Sequence, residues 1–108
     1  MDDPQAHPSY RSITVVELAG LLAARPAPRF IDIREPHEWR LGGFEGAEPL
    51  PLSDLRHWWP TLDPSAPLIV CCQRGNRSRA LCQALAAAGF TALWDLAGGV
   101  EALGGSEA

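Results

Sequence analysis

The stretch from Leu68 to Gly89 constrains the fold more than any other part of the sequence. It opens with Leu-Ile-Val-Cys-Cys at residues 68–72, an apolar run of strand length. A polar turn with one glycine follows at residues 73–76, and an alanine-rich segment of helical character runs from Arg77 to Ala88. Gly89 stands where helices commonly end in a left-handed residue. The pattern predicts a strand, a tight turn and a helix.

Cys72 lies where the predicted strand meets the turn. If the turn curls tightly, the backbone N–H groups of residues 73–77 and the positive end of the helix dipole converge there. Such donors stabilise a thiolate relative to a thiol, and nearby guanidinium groups act in the same direction. We therefore expect Cys72 to lose its proton easily and to act as a nucleophile.

The rest of the chain alternates between strand and helix patterns. Thr14 and Glu17 have the spacing of a capping box, which predicts a helix through Ala23 or Ala24. The further segments expected are a strand at 29–33, a turn with a short helical segment at 34–43, an edge or extended segment at 46–52, a helix that Ser53 caps and that runs to about Trp59, and a last strand at 91–96. This alternation is typical of an α/β fold whose parallel sheet is covered on both faces. In such sheets ligands bind at the carboxyl ends of strands, where the cysteine turn lies.

Length and charge limit the possible functions. A chain of 108 residues has room for one domain. We expect it at residues 13–103, between a loose lead-in at 1–12 and a tail at 104–108. The net charge of −4 argues against nucleic acid or a membrane surface as a partner. All nine basic side chains are arginines, and Arg74, Arg77 and Arg79 cluster at the turn. This cluster predicts a cationic cup for a small anionic substrate.

The three cysteines do not indicate a disulfide framework, because their number is odd and two are adjacent. The first residues do not have the pattern of a secretory signal, and no run is long enough to cross a bilayer. A reducing cytoplasm is the expected location. Cys71 should face the opposite side of the strand from Cys72 and pack in the core. Cys82 is expected to pack as well, with a role as a resolving thiol as the alternative. The cysteine and histidine spacings do not fit a zinc site.

Three stretches together resemble the rhodanese family of sulfurtransferases. Residues 72–78, Cys-Gln-Arg-Gly-Asn-Arg-Ser, resemble its active-site loop of pattern Cys-x-x-Gly-x-Arg-Ser. Residues 30–39 resemble its early strand and Asp-x-Arg-Glu-Pro turn, and residues 93–100 resemble its last strand and glycine pair. The resemblance spans about Thr14 to Leu103.

The resemblance implies a three-layer α/β/α fold with a central, mostly parallel sheet. It also implies that Cys72 takes a sulfane sulfur from a small anionic donor such as thiosulfate and holds it as a persulfide. The sulfur would then pass to a thiol, cyanide or a protein acceptor. Neither a metal nor an organic cofactor is implied. The residues expected to bind the donor or shape the loop are Gln73, Arg74, Gly75, Asn76, Arg77 and Ser78.

Several of these residues have more specific expected roles. Gly75 suits a positive φ, which such a curl often needs. Arg77 should brace the loop and add charge, Ser78 can cap the helix, and Arg74 should point outward and meet the donor.

Outside the loop, the pair Asp32 and Arg34 matches the family's Asp-x-Arg pattern. We expect a buried or half-buried ion pair beneath the loop, with a direct catalytic role as the alternative. Glu38 matches an acidic position near the pocket mouth; it either tunes substrate charge or is simply solvated. Trp58 and Trp59 are expected in the core of a covering helix, and an acceptor site is the alternative.

Two positions depart from the family pattern. Gly43 stands where the family usually has histidine, which puts the local geometry in doubt. Leu103 stands where the family often has tryptophan, which puts the C-terminal boundary in doubt.

Three other functions remain open at this point. A phosphatase or arsenate reductase of the same superfamily is disfavoured, because four residues separate Cys72 from Arg77 and the phosphatase loop is one residue longer. A non-catalytic interaction module is disfavoured by the intact Cys72. A sulfur-relay protein that serves a protein partner is the third.

Overall fold

The computed structural model describes residues 10–105, and residues 1–9 and 106–108 lie outside it. Five strands and five helices follow one another along the described chain. They are β1 (Tyr10–Ile13), α1 (Val15–Leu22), β2 (Arg29–Asp32), α2 (Pro36–Trp39), β3 (Glu48–Pro49), α3 (Leu55–Trp58), β4 (Leu68–Cys71), α4 (Asn76–Ala87), β5 (Leu93–Leu96) and α5 (Glu101–Gly105). Short 3₁₀ turns flank α3 at Leu52–Asp54 and Trp59–Thr61.

The five strands form one sheet in the order β1-β5-β4-β2-β3, and every pair in it is parallel. β4 lies at the centre, and its four residues are all buried. The loop that follows β4 therefore begins at the carboxyl edge of the sheet, between the ends of β2 and β5. The expected parallel sheet is confirmed, as is the edge position of the proline-containing segment, which is β3.

Helices cover both faces of this sheet. On one face, Val70 and Cys72 pack with Leu81 and Leu85 of α4 and with Trp58 of α3. The residues that form the core of the other face are Ile13, Leu18, Phe30, Ile69, Cys71 and Leu96. Because side chains alternate along a strand, the adjacent cysteines face opposite layers, as expected. The fold is a three-layer α/β/α sandwich.

Local signals in the sequence produce two of the helix ends. The Thr14 side chain accepts from the Glu17 N–H at 3.1 Å, and the Glu17 carboxylate accepts from the Thr14 N–H at 2.8 Å, so the capping box of α1 is confirmed. Gly89, with φ of 104°, follows the C-cap of α4 in the left-handed region. Glycine is suited to this position because it has no Cβ to clash there.

Three expectations about the outer elements are corrected. Residues 10–12, expected in the loose lead-in, belong to β1, which pairs with β5. Ser53 does not cap a helix; its hydroxyl donates to the Glu35 carboxylate at 2.6 Å. Trp58 is buried as expected, whereas Trp59 is 42% exposed. Within residues 10–105, no helix is both long and apolar enough to cross a membrane.

Candidate active site

The loop between β4 and α4 places Cys72 at the start of a helix. β4 ends at Cys71, and Gly75 is the N-cap of α4 with φ of 102°. A Cβ at this glycine would lie 3.1 Å from the Gly98 nitrogen, so neither the backbone conformation nor the space suits a side chain. The positive φ expected at Gly75 is confirmed.

Two backbone N–H groups point at the sulfur of Cys72. The Gly75 N–H donates to Sγ at 3.1 Å and the Ser78 N–H donates at 3.3 Å. The Ser78 hydroxyl oxygen lies 3.5 Å from the same sulfur. The sequence predicted donors from residues 73–77, so it missed the Ser78 N–H, which lies one residue further along the helix. The Ser78 hydroxyl does not cap the helix, because the acceptors available to its one hydrogen are the Asp95 carboxylate and, at 3.2 Å, the Gly75 carbonyl oxygen.

A second segment holds the loop from the side of β5. The Val100 N–H donates to the Cys72 carbonyl at 2.9 Å, and the Glu101 N–H donates to the Gln73 carbonyl at 3.0 Å. The chain comes this close because Gly99, with φ of 57°, has no side chain; a Cβ there would collide with the Cys72 carbonyl oxygen. Gly99 therefore allows the start of α5 to lie against the loop that follows β4.

Arg34 supports the loop from below. Its side chain is 1% exposed and forms an ion pair with Asp32 at 2.9 Å. The same guanidinium donates to the Gln73 side-chain oxygen at 2.9 Å, to the Glu38 carbonyl at 2.9 Å and to the Gly42 carbonyl at 2.6 Å. The expected buried ion pair beneath the loop is confirmed. Neither Asp32 nor Arg34 lines the pocket above Cys72.

Gly43 explains how Arg34 fits. A Cβ at position 43 would collide with the terminal nitrogen of Arg34 that binds the Gly42 carbonyl. Glycine, in place of the family's histidine, therefore leaves the space that the buried Arg34 guanidinium occupies. The other departure, Leu103, lies in α5, where its N–H donates to the Val100 carbonyl at 3.0 Å.

A pocket of about 290 Å³ opens above the loop. Its lining residues are Glu38, Cys72, Gln73, Arg74, Asn76 and Arg77. Cys72 lines the pocket although its side chain is only 1% exposed. Asn76 begins α4, and its side-chain oxygen accepts from Arg79 at 3.2 Å. The pocket therefore has room for a small anion beside Cys72.

Carboxylates neutralise the arginines of this pocket. Arg77 binds Glu38 through two hydrogen bonds of 2.8 and 2.6 Å, and Arg74 binds Glu101 at 3.0 Å. The hydrogen bonds from Arg77 lower the pKa of Glu38 to about 2, and the same contact raises the pKa of Arg77. Arg74 points outward as expected. Arg79 does not line the pocket. The prediction of a cationic cup is therefore wrong, because each arginine that lines the pocket is paired with a carboxylate.

The other two cysteines have no comparable surroundings. Cys71 and Cys82 are fully buried, and desolvation raises the pKa of both thiols, that of Cys82 to about 12. The Cys82 thiol donates weakly to the Trp94 carbonyl at 3.8 Å. The expected packing roles are confirmed by this burial. In the described part of the chain, three or more histidine, cysteine or acidic side chains do not meet in a way that could hold a metal ion.

Asp95 is the site residue that the sequence analysis missed. It lies on β5 and is 1% exposed, and its carboxylate accepts from Ser78 and from Ser12. A signal was available, because an acidic residue interrupts an otherwise apolar strand at 93–96. Buried carboxylates of this kind require hydrogen-bond partners, and often indicate function.

The comparisons with known proteins agree on one family. The sequence model of the Rhodanese-like domain family matches residues 14–105. Thiosulfate sulfurtransferase GlpE of Ectopseudomonas mendocina is 38% identical over 71 residues, which cover 66% of this chain and 65% of that protein. The uncharacterized protein YqhL of Bacillus subtilis is 35% identical over 77 residues, which cover 71% of this chain and 61% of that protein. The chain spans less than two thirds of the length of these curated relatives.

Solved structures support the same assignment. A rhodanese-related protein from Thermoplasma volcanium is 30% identical, with a TM-score of 0.75 over 90% of this chain and 93% of that one. The human single-domain sulfurtransferase TSTD1, at 24% identity, shares the fold with a TM-score of 0.71 over 95% of this chain and all of that one. Since the family match includes the strand, loop and helix around Cys72, the chain belongs to the Rhodanese-like domain family.

Proposed function

We propose that this protein is a sulfurtransferase that carries a sulfane sulfur as a persulfide on Cys72. One observation carries the proposal: two backbone N–H groups, from Gly75 and Ser78, donate to the Cys72 sulfur at the base of an open pocket. Donors that are already in position stabilise negative charge on sulfur without any reorganisation. The similarity to a thiosulfate sulfurtransferase supports the same reaction class.

The proposed reaction has two steps. The Cys72 thiolate attacks the outer sulfur of thiosulfate, the S–S bond of the donor breaks, and sulfite leaves with the bonding electrons. The product is the persulfide anion Cys72–S–S⁻. The thiolate of an acceptor then attacks the outer sulfur, the S–S bond of the persulfide breaks, and Cys72 leaves as a thiolate. The enzyme returns to its starting state, so the scheme is ping-pong.

The loop residues have distinct parts in this scheme. Gly75 and Ser78 supply the N–H donors, and Gln73 fixes the loop to Arg34 through its side chain. Arg77 lies at the pocket wall, where it can exchange part of its contact with Glu38 for the entering donor. Arg74 lines the pocket, is exposed and is paired with Glu101, so it can meet the donor first.

The short loop supports sulfur chemistry over phosphate chemistry. Four residues separate Cys72 from Arg77, and the curl that they form is closed from one side by Gly98 and Gly99. A wider cup would need an extra residue at this place. A cytoplasmic, reducing compartment is part of the proposal, because the persulfide cycle requires free thiols.

Intact mass spectrometry after mixing with thiosulfate tests the function directly. We expect the protein to gain one sulfur atom, located on Cys72 by peptide fragmentation, and to lose it when a thiol or cyanide is added. The variant Cys72→Ser should gain none. Turnover of an aryl phosphate without sulfur uptake would instead show a phosphatase. Absence of both reactions in the folded wild-type protein would favour a non-catalytic module.

A further inference from the structure

A chain of three hydrogen-bonding side chains leads away from the reactive sulfur into the protein. The Ser78 hydroxyl contacts the Cys72 sulfur at 3.5 Å and donates to the Asp95 carboxylate. The other oxygen of Asp95 accepts from the Ser12 hydroxyl at 3.2 Å. Asp95 is 1% exposed, and no arginine or histidine among residues 10–105 lies within ion-pair distance of it.

The Ser78 hydroxyl can pass a proton because of what surrounds it. A hydroxyl has one hydrogen to donate and two lone pairs that accept. Its donor-capable neighbour is the Cys72 thiol, and its strongest acceptor is the Asp95 carboxylate. The Gly75 carbonyl, at 3.2 Å, is a second and neutral acceptor. The thiol and the carboxylate are thus bridged by a single group.

We propose that Asp95, acting through Ser78, is the proton acceptor for the Cys72 thiol. The Cys72 S–H proton moves to the Ser78 oxygen as the Ser78 O–H proton moves to Asp95. The products are a Cys72 thiolate, an intact Ser78 hydroxyl and a neutral Asp95 carboxylic acid. Proton count and total charge are unchanged.

This transfer moves the negative charge from Asp95 to the Cys72 sulfur, at which backbone N–H groups point. On Asp95 the charge is held by two hydroxyl groups. On the sulfur it is held by the N–H groups of Gly75 and Ser78, and the Ser78 hydroxyl now donates to it as well. Because one charge moves and none is created, the buried site does not have to accommodate a second charge. The inference rests on the proposed role of Cys72 as nucleophile.

The other titratable groups around Asp95 do not compete for this proton. Cys71 at the end of β4 and Cys82 on α4 both interact with its charge. Burial raises the pKa of Cys82 to about 12, and raises that of Cys71 as well, so both remain protonated at neutral pH. On β1, the Tyr10 hydroxyl accepts from Gln83 at 3.3 Å and does not bind Asp95.

Infrared difference spectroscopy at neutral pH tests the transfer. We expect a carboxylic-acid C=O band in wild-type protein that is absent from Asp95→Asn and from Cys72→Ser. The serine of the second variant cannot release its proton, so Asp95 stays ionised there. If the band is missing from the wild type, or persists unchanged in Cys72→Ser, the proposal is wrong. The second comparison needs no change at Asp95 and so does not depend on the stability of Asp95→Asn.

The pH profile of Cys72 alkylation gives an independent test. Asn at position 95 is neutral, as Asp95 is in the proposed thiolate state, so alkylation at neutral pH should stay within about twofold of the wild type; loss of an ionised carboxylate near the sulfur would instead speed it. Ser12→Ala removes a donor that favours the ionised carboxylate, so alkylation should be unchanged or faster. The exposed Asp63→Asn should match the wild type.

A change of about tenfold or more in Asp95→Asn overturns the proposal: faster alkylation would show that the wild-type carboxylate is ionised, and slower alkylation in both Asp95→Asn and Ser12→Ala would show a merely structural role. Sulfur uptake is measured separately. Wild-type protein that shows the infrared band but takes up no sulfur would contradict the proposed function and leave the proton transfer standing.

Discussion

Cys71 and Cys72 are neighbours in the sequence and nearly equal in exposure, yet their surroundings differ completely. Both side chains are almost fully buried. Cys71 packs on one face of the sheet beside Phe30 and Leu96, and burial raises the pKa of its thiol. Cys72 faces the other layer and receives two backbone N–H groups at the base of a pocket.

Burial alone therefore does not distinguish the proposed nucleophile from a packed cysteine. Cys82 supports the same conclusion, since it shares a core cluster with Cys72 but its thiol donates weakly to a carbonyl. A carbonyl accepts from a thiol and favours the protonated form, whereas N–H groups favour the thiolate. What separates Cys72 from Cys82 is the kind of backbone group that contacts the sulfur, N–H groups in one case and a carbonyl in the other.

The largest effect expected is the contrast between substitutions of the adjacent pair. Cys72→Ser should lower sulfur transfer by about a thousandfold or more, because an oxygen cannot hold the persulfide. Cys71→Ala should leave transfer within about twofold of wild type and lower the free energy of unfolding by about 1 kcal/mol through a small cavity. Thiosulfate turnover and urea unfolding measure the two effects. Comparable turnover in the two variants would show that the two cysteines do not differ in function as proposed.

The next largest effect is expected when the sulfur is kept and a backbone N–H donor to it is displaced. Gly75→Ala forces a side chain into a left-handed residue beside Gly98 and displaces the N–H that points at Cys72. We expect the rate of persulfide formation to fall by about tenfold to a hundredfold, as for other lost charge-stabilising donors.

Gly89→Ala is the matched control for that substitution. Gly89 has nearly the same φ, 104°, but open space around its Cβ position and no role in the loop. It should lose about 1 kcal/mol of stability with an unchanged rate of sulfur uptake. Equal losses of rate in the two variants would show that backbone strain, and not donor position, controls the reaction.

A smaller effect is expected at the pocket wall. Arg77→Ala removes the cation and leaves Glu38 unpaired beside the entering anion, so sulfur uptake from thiosulfate should slow by about fivefold to tenfold. Arg79→Ala, which lies outside the pocket, should have no effect. The double variant Glu38→Gln with Arg77→Ala separates the causes, because it should recover part of the rate. No recovery would assign the whole effect to the arginine.

The smallest effect is on acid stability. The pKa of Glu38 is about 2, below its ordinary value of 4.5, so the ion pair with Arg77 contributes its full stability above about pH 4.5. That contribution is lost as the pH falls from 4.5 through about 2. Glu38→Gln should therefore reduce the free energy of unfolding by about 1 kcal/mol near neutral pH and less in acid. The exposed Glu45→Gln is the control; a pH-independent difference for Glu38→Gln would contradict the assignment.

The loop could be predicted from the sequence because its determinants are local. A β-branched run, a glycine and an alanine-rich segment specify the strand, the positive φ of Gly75 and the helix within 22 residues. The capping box at Thr14 is local as well. Family resemblance added the roles of these residues, which pattern alone does not supply. Ser53 shows the limit of local reasoning, since its hydroxyl binds Glu35 across 18 positions and caps nothing.

Apart from the local pair of Asp32 and Arg34, the hydrogen-bond and charge partners of the site could not be predicted, because they come from distant segments. Glu38 and Arg77 are 39 positions apart, as are Arg34 and Gln73, and Ser12 and Asp95 are 83 apart. Their contacts depend on the strand order, which brings β1 beside β5 and β2 beside β4. Strand order follows from the burial of both sheet faces by the whole chain, and no single stretch encodes it.

The amino-acid sequence by itself therefore determined which cysteine sulfur stands where the strand meets the turn, because strand alternation and the turn at Gly75 act over a few residues. Only the tertiary structure decided the charge around that sulfur. Parallel packing of β5 against β4 brought Asp95 behind Ser78, and the placement of α2 near the loop brought Glu38 to Arg77. Hydrogen bonds and ion pairs reach only a few ångströms, so their partners exist once the sheet has assembled.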